Sequence, residues 1–344
     1  MFRSSSQVSI SIAALLTLLI GVTLTVLMFA AARRYEYHKT TAEFQLRAHV
    51  RLAAIVEGTT NAIDGLRSVN RLFATVGPVT REQFRMFTQP VLARAPYIQA
   101  FTFERLVPAS ELGVFETGMR RKFPDFAVTS LHDEQPVSAA ARDKHRVIEY
   151  IEPFAPNRRL LGFDAASDLY QDDAANRARD SGTPAASGLY PLQGRPAAQR
   201  GIVILMPVYR QGAAIDDLAA RRSATIGYTA AVFSAEGMIK QILTAGGFLD
   251  EYNVDIDVYA GHERDKDDLD GKAGEGKLAF RHRSAAAVHT ITTAVPEWLL
   301  YNHPAAISDT FDVAGQTWRI GDGSQLRRQR PVKSLRFLQG SFSL

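Results

Sequence analysis

The 344-residue chain contains no cysteine. That excludes disulfides, thiolate metal sites and a cysteine nucleophile, and it leaves the redox compartment open. Charge of one sign is also missing. Forty Lys and Arg against 36 Asp and Glu leave a net charge of +4. With no zinc-finger spacing and no aromatic-basic repeat, nothing points to nucleic acid as a partner. No P-loop or dinucleotide glycine pattern follows a strand-like run. Ser187 in "TPAASGLY" lacks the glycine two positions earlier that a nucleophile elbow requires. The eight histidines show no metal spacing, and after His262-Glu263 position 266 is Lys where a zinc-protease motif needs His. The acidic run "DKDDLDG" from Asp265 puts Leu269 where an EF-hand places its fifth-position ligand, so it reads as a solvated loop. No metal site and no cofactor is expected. A triad assembled only in space is the remaining route to catalysis, and the chain reads as a non-enzyme.

One further absence carries positive information. Val8 to Ala32 runs 25 residues without a charge. About 20 apolar residues cross a bilayer as a helix, whereas a signal-peptide core spans about 7–15. The reading is an uncleaved membrane anchor over residues 1–34, with a cleaved signal peptide ending near Ala30–Ala32 as the rival. Arg33, Arg34, His38 and Lys39 follow the span and only Arg3 precedes it. The positive-inside rule alone would keep the following residues in the cytoplasm, although long domains translocate despite such a bias.

From Tyr35 to Val76 one long helix is expected. Leu52, Val56, Ile63, Leu66, Val69, Phe73 and Val76 recur at helical spacing and form an apolar stripe, either core or a dimer seam. Gly77-Pro78 ends it, and Thr80 with Gln83 forms a capping box for a second helix. Ser110 is a candidate N-cap for a helix through "ASELGVFETGMRRKF". "YIQAFTFERLV", "FAVTSLH", "RVIEYIEPF", "GIVILMPVYR" and "TIGYTAAVFS" read as strands, the fourth central in its sheet. "DLYQDDAANRARDSG" reads as a helix closed by Gly182, and "AEGMIKQILTAGG" as another. A second set of strands is expected in "YNVDIDVYAG", "LAFRHRS", "AVHTITTAV" and "ISDTFDVAGQTWRIG", the last with a turn at Ala314-Gly315. The fold class is α+β: a transmembrane helix, a stalk helix, and two PAS-like domains with antiparallel sheets. The boundaries read are 1–34, 35–77, 78–247, 248–321 and a basic, poorly ordered tail over 322–344.

Within "PNRRLLGFDAAS", Asp164 follows Leu160, Leu161 and Phe163. An unpaired buried carboxylate is expensive, so it must be solvated, capping a helix or held by a partner.

This stretch also carries a resemblance. "VTREQF", "APYIQAFTFERLV", "FE", "YIEPFAPNRRLLGFDAAS", "ANRARDSGTPAAS", "GIVILMPVYR" and "RRSATIGYTAAVFSAEGMI" occur in the order found in CHASE domains, over about Pro78 to Gly247. "FDVAGQTWRI" resembles the family's membrane-proximal part. The resemblance implies an extracytoplasmic, periplasmic sensor on the inner membrane, with a single pass in this chain. It also implies a small-molecule ligand in the distal domain and a homodimer through the stalk helix. By the same resemblance Asp164 contacts the ligand and Leu192 packs on it, while Leu205 stands where plant cytokinin receptors have a ligand-binding Thr. Leu205 cannot make that polar contact, so cytokinin itself is not implied. A turn-orienting role for Asp164 is the alternative. Arg146 replaces the family's usual Pro. Family members continue into a second span and a histidine kinase or cyclic-nucleotide output domain after the region of Trp318, and neither is found here. The expected function is therefore a sensor whose output part is missing from this chain, or else a tethered or secreted binding protein.

Overall fold

The computed structural model describes residues 12–132, 135–192, 199–249, 255–261, 276–283 and 308–321. The acidic loop at Asp265, the strand expected at 288–296 and the basic tail lie outside them.

Helix α1 runs from Ile12 to Thr75, 64 residues, so the anchor and the stalk are one helix with no break at residue 34. In its first part Leu15, Leu19, Leu24, Leu27 and Phe29 are all exposed. Thr17, Thr23 and Thr25 each donate their hydroxyl to the carbonyl four residues back. Their polar atoms are thus satisfied inside the helix, as a lipid environment demands. Among the described residues α1 is the one helix long and apolar enough to cross a membrane.

Residues from Arg51 onward form a separate compact unit. Its elements in chain order, after the end of α1, are α2 (Arg81–Arg94), β1 (Ile98–Pro108), α3 (Leu112–Arg120), β2 (Thr129–His132), β3 (Gln135–Ser138), β4 (Lys144–Glu152) and α4 (Phe154–Asn157). Then come α5 (Leu169–Ser181), β5 (Ala185–Ala186), β6 (Tyr190–Pro191), β7 (Arg200–Tyr209), α6 (Leu218–Ala224), β8 (Thr225–Ser234) and α7 (Ala235–Ala245). Strands β9 (Ile256–Ala260), β10 (Lys277–His282), β11 (Ser308–Val313) and β12 (Gln316–Gly321) close the described chain.

The first sheet has the order β4-β1-β8-β7-β5, with β6 also on β7, and every pairing is antiparallel. The apolar run of β7 is flanked on both sides, but β5 and β6 are two-residue strands, so the sheet's centre is β1-β8. The second sheet, β10-β9-β12-β11, is also antiparallel. Its β11-β12 hairpin turns on Ala314 (φ 48°) and Gly315 (φ 81°), the two left-handed residues that a tight hairpin of this twist requires.

Alternation along the strands gives the first sheet two faces. Phe101, Phe103, Ile202, Ile204 and Phe233 point to one, where they pack with Ile55, Leu66 and Val69 of α1, Phe84 of α2 and Met238, Ile239 of α7. The apolar stripe of the stalk is therefore core of its own chain. Leu66 and Val69 are fully buried and Leu52, Ile63 and Phe73 pack in the same core, so of the two roles expected for the stripe it fills that of core. Asn70 fixes the helix's setting, donating to Pro207 O (3.0 Å) and Thr229 Oγ1 (2.9 Å).

The Thr80–Gln83 capping box forms as expected. Asp168 caps α5 and Gly182 closes it at φ 75°. Ser110 does not cap α3. A short 3-10 turn (Ala109–Glu111) precedes that helix, and Glu111 occupies the cap position without a side-chain bond.

Candidate ligand site

The sheet face opposite α1 is covered by α5 and the turn Ala165–Ser167. Asp164 introduces that turn and is fully buried. Its Oδ1 accepts from Arg146 N (2.9 Å) and Ala166 N (3.2 Å), and His145 Nδ1 lies 2.9 Å from Oδ2. Arg142 Nε is 3.3 Å from the same Oδ2. The backbone is held as tightly: Asp164 N donates to Thr129 O (2.7 Å), and Ser167 N and Oγ donate to Asp164 O (3.0 and 2.6 Å). Of the three fates open to this carboxylate, two hold at once: it caps the turn and it is partnered. Asp164 here ties β4 to the turn through these bonds. This geometry fits the turn-orienting role.

Leu192 and Leu205 do come together. They share one buried cluster with Ala174 and Ala178 of α5, Tyr190, Val203, Tyr228 and Ala230. Leu205 sits opposite Ala230 and Ala185 in the sheet. The neighbours of Asp164 in sequence, Phe163 and Ala165, pack in a different cluster, with Ala100, Ile148 and Ile151.

Beside the leucines lies a polar group that the sequence reading did not select. Glu104 and Arg146, each 2% exposed, form an ion pair at 2.8 Å. Thr102 Oγ1 donates to Glu104 Oε1 (3.0 Å). Arg146 Nη2 donates to Ala165 O (2.7 Å), its guanidinium lies 5.7 Å from the Tyr228 ring, and its Nε is buried without a hydrogen-bond partner. Asp168 accepts from Tyr170 N and from Gln171 Nε2, both at 3.0 Å. Burial pushes the Glu104 carboxyl above its usual range, and the Arg146 charge draws it only partway back. Burial raises Asp168 too, against the pull of its hydrogen bonds. Tyr228 is pushed up to about 12 and Tyr190 well above the usual tyrosine range, both chiefly by burial. The signals were present in the sequence: an acid inside the apolar run "AFTFERLV", and an Arg where the resembling family has Pro.

The α5 face thus combines an aliphatic wall with two tyrosines and a buried Arg–Glu pair, whose electrostatics are strengthened by the low-dielectric interior. Among the described residues no group of three His, Asp or Glu side chains is placed to hold a metal.

Residues from Arg51 onward thus combine two antiparallel sheets with charged groups enclosed on one face of the first. A family model described as "CHASE domain" matches residues 77–269, and the chain belongs to that family. Among solved structures it is similar to the ligand-binding domain of the Pseudomonas aeruginosa PAO1 amino acid chemoreceptor PctC in complex with GABA. That likeness has 12% identity and a TM-score of 0.43, over 82% of this chain and 98% of that one. It is also similar to the ligand-binding domain of Campylobacter jejuni chemoreceptor Tlp3 in complex with L-norvaline (10%, TM-score 0.37, 87% and 96% covered). A third is the periplasmic sensory domain of Campylobacter jejuni Tlp1 (8%, TM-score 0.38, 83% and 95% covered). No curated protein matches the chain.

Proposed function

We propose that this chain is a membrane-anchored, extracytoplasmic sensor that binds a small molecule and passes the event along α1 towards a cytoplasmic output domain. The observation that carries this reading is the continuity of α1. Its apolar first part suits a bilayer, and its last turns are core of the CHASE sheet. A ligand that prefers one arrangement of the sheet must then bias the helix as well. The ligand is placed between the sheet and α5, against Leu192 and Leu205, with Glu104 and Arg146 as polar contacts and Asp164 as the residue that positions the turn. The reading keeps a distal domain over 78–247 and a membrane-proximal one over 248–321. It also keeps a homodimer through the stalk, now using Leu46 and Val50, which remain exposed one turn apart.

The absence of cysteine makes the topology directly testable. Leu169→Cys, at a position 83% exposed, places a single thiol on α5. A membrane-impermeant maleimide should label it in intact cells with a permeable outer membrane. Protection until the inner membrane is lysed would overturn the proposal. Native mass spectrometry of the full chain, extracted in detergent, then identifies any retained small molecule.

A further inference from the structure

A second site lies on the other side of the sheet, in a cleft of about 730 Å³ between the start of α2, helix α3 and the β1-β4 pair. Its walls include Val79, Leu106, Val114, Phe115 and Met119. Its charged groups are Arg81, Arg105 and Lys122 against Glu111 and Glu149. Glu149 is already engaged by Arg105, whose Nε donates to its Oε2. The remaining charges leave a positive excess around an apolar hollow whose volume falls in the range of small-molecule sites.

Arg81 is the unusual member. Its guanidinium lies against a pair of neighbouring rings, 5.1 Å from Phe123 and 4.3 Å from Phe154, which are themselves 5.8 Å apart. Nη1 and Nη2 are both buried and neither has a hydrogen-bond partner. The nearest carboxylate, Glu152, stands 3.9 Å away, beyond hydrogen-bond reach. Burial lowers the pKa of Arg81, against the opposing pull of Glu152, its long-range ion-pair partner, and of Tyr150. Phe123 borders two cavities, this cleft and a neighbouring one of about 690 Å³, bounded by Phe126, Pro156 and Leu161.

We propose that this cleft binds a small carboxylate with an apolar body. Phe123 turns into the neighbouring cavity, the carboxylate takes both terminal nitrogens of Arg81, and the body rests on Phe115 and Met119. A guanidinium whose two outer N–H groups lack acceptors matches a carboxylate's two oxygens. Filling that pair removes a standing cost of burial, which a neutral ligand cannot do. The site also abuts the signalling helix. Phe84, one turn after Arg81 in α2, meets Phe73 of α1 edge-on at 6.2 Å between ring centres.

The test uses the full chain in lipid nanodiscs, with phenylacetate as probe and phenylacetamide as its neutral counterpart, read by calorimetry. Phenylacetate should bind saturably, and the amide should bind roughly tenfold more weakly or worse. Arg81→Gln should weaken phenylacetate by a similar factor and leave the amide unchanged. Val114→Trp, at a position 78% exposed on the cleft wall, should block both probes without disturbing the core. Equal affinity for acid and amide, unchanged binding in Arg81→Gln, or no saturable binding of phenylacetate would each overturn the proposal. If Arg81→Gln fails to fold, unchanged phenylacetate binding in Val114→Trp does so. This site does not depend on the one beneath α5, and its failure would leave that reading intact.

Discussion

The two faces of the six-stranded sheet solve burial in opposite ways. The face towards α1 is dry and aromatic: Phe73 stacks on Phe103 at 4.4 Å, and Phe84 and Tyr150 lie close by. The face towards α5 encloses an Arg, two acids and two tyrosines. Apolar contact is tolerant of small shifts and stabilises roughly in proportion to area. A buried ion pair is unforgiving, because removing one partner strands the other in low dielectric. The comparison teaches a division of labour: one face fastens the long helix by apolar contact, and the other is specified by polar pairing.

The sharpest way to break that comparison is Arg146→Met. Glu104 would be left buried and unpaired, and unfolding by urea should show a loss of about 3–5 kcal/mol. Adding Glu104→Gln should restore most of it, whereas no second change on the aromatic face would. Asp164→Ala follows, with a loss of about 3 kcal/mol in the ligand-free protein, since it strips acceptors from Arg146 N, Ala166 N and His145 together. Asp164→Asn, which keeps the Oδ1 acceptor, should lose less. On the opposite face Leu66→Ala should cost about 3 kcal/mol through a cavity alone, and the difference from the parent in urea unfolding should be the same at every pH. Thr80→Ala removes one half of the capping box of α2 and should cost about 1 kcal/mol.

The smallest effect is the one most specific to the polar face. Glu104 and Asp168 are both raised by burial, so the folded chain holds protons that the unfolded chain releases. Stability should therefore fall as pH rises through and above their ordinary values of 4.5 and 3.8, and level off beyond the folded pKa. Glu104→Gln should flatten that decline in denaturation curves taken at successive pH values. A slope that survives the substitution would assign the proton uptake to another group.

Most of the scaffold was legible in the sequence because its signals are local. The charge-free run, the helical stripe, the Thr80–Gln83 box, Gly182 and the Ala314-Gly315 turn each need only a few neighbouring residues to declare themselves. Ser110 misled because the chain spends one short 3-10 turn before α3 begins. The stripe's partner could not be read, since a dimer seam and a private core ask for the same apolar spacing. The polar site was the least legible part. Glu104, Arg146 and Asp168 lie far apart in the chain and become one group only when β1, β4 and the cap of α5 are side by side. Asp164 was picked out correctly as a residue with a constraint on it, but only the fold reveals that its own neighbours satisfy that constraint.

Asn70 has a mechanical consequence. Its amide is clipped at once to a backbone carbonyl of β7 and a hydroxyl of β8. Turning α1 about its axis by even part of a revolution would swing the amide off both acceptors together. At this point the helix is therefore keyed to the sheet in rotation by directional bonds as well as by apolar packing.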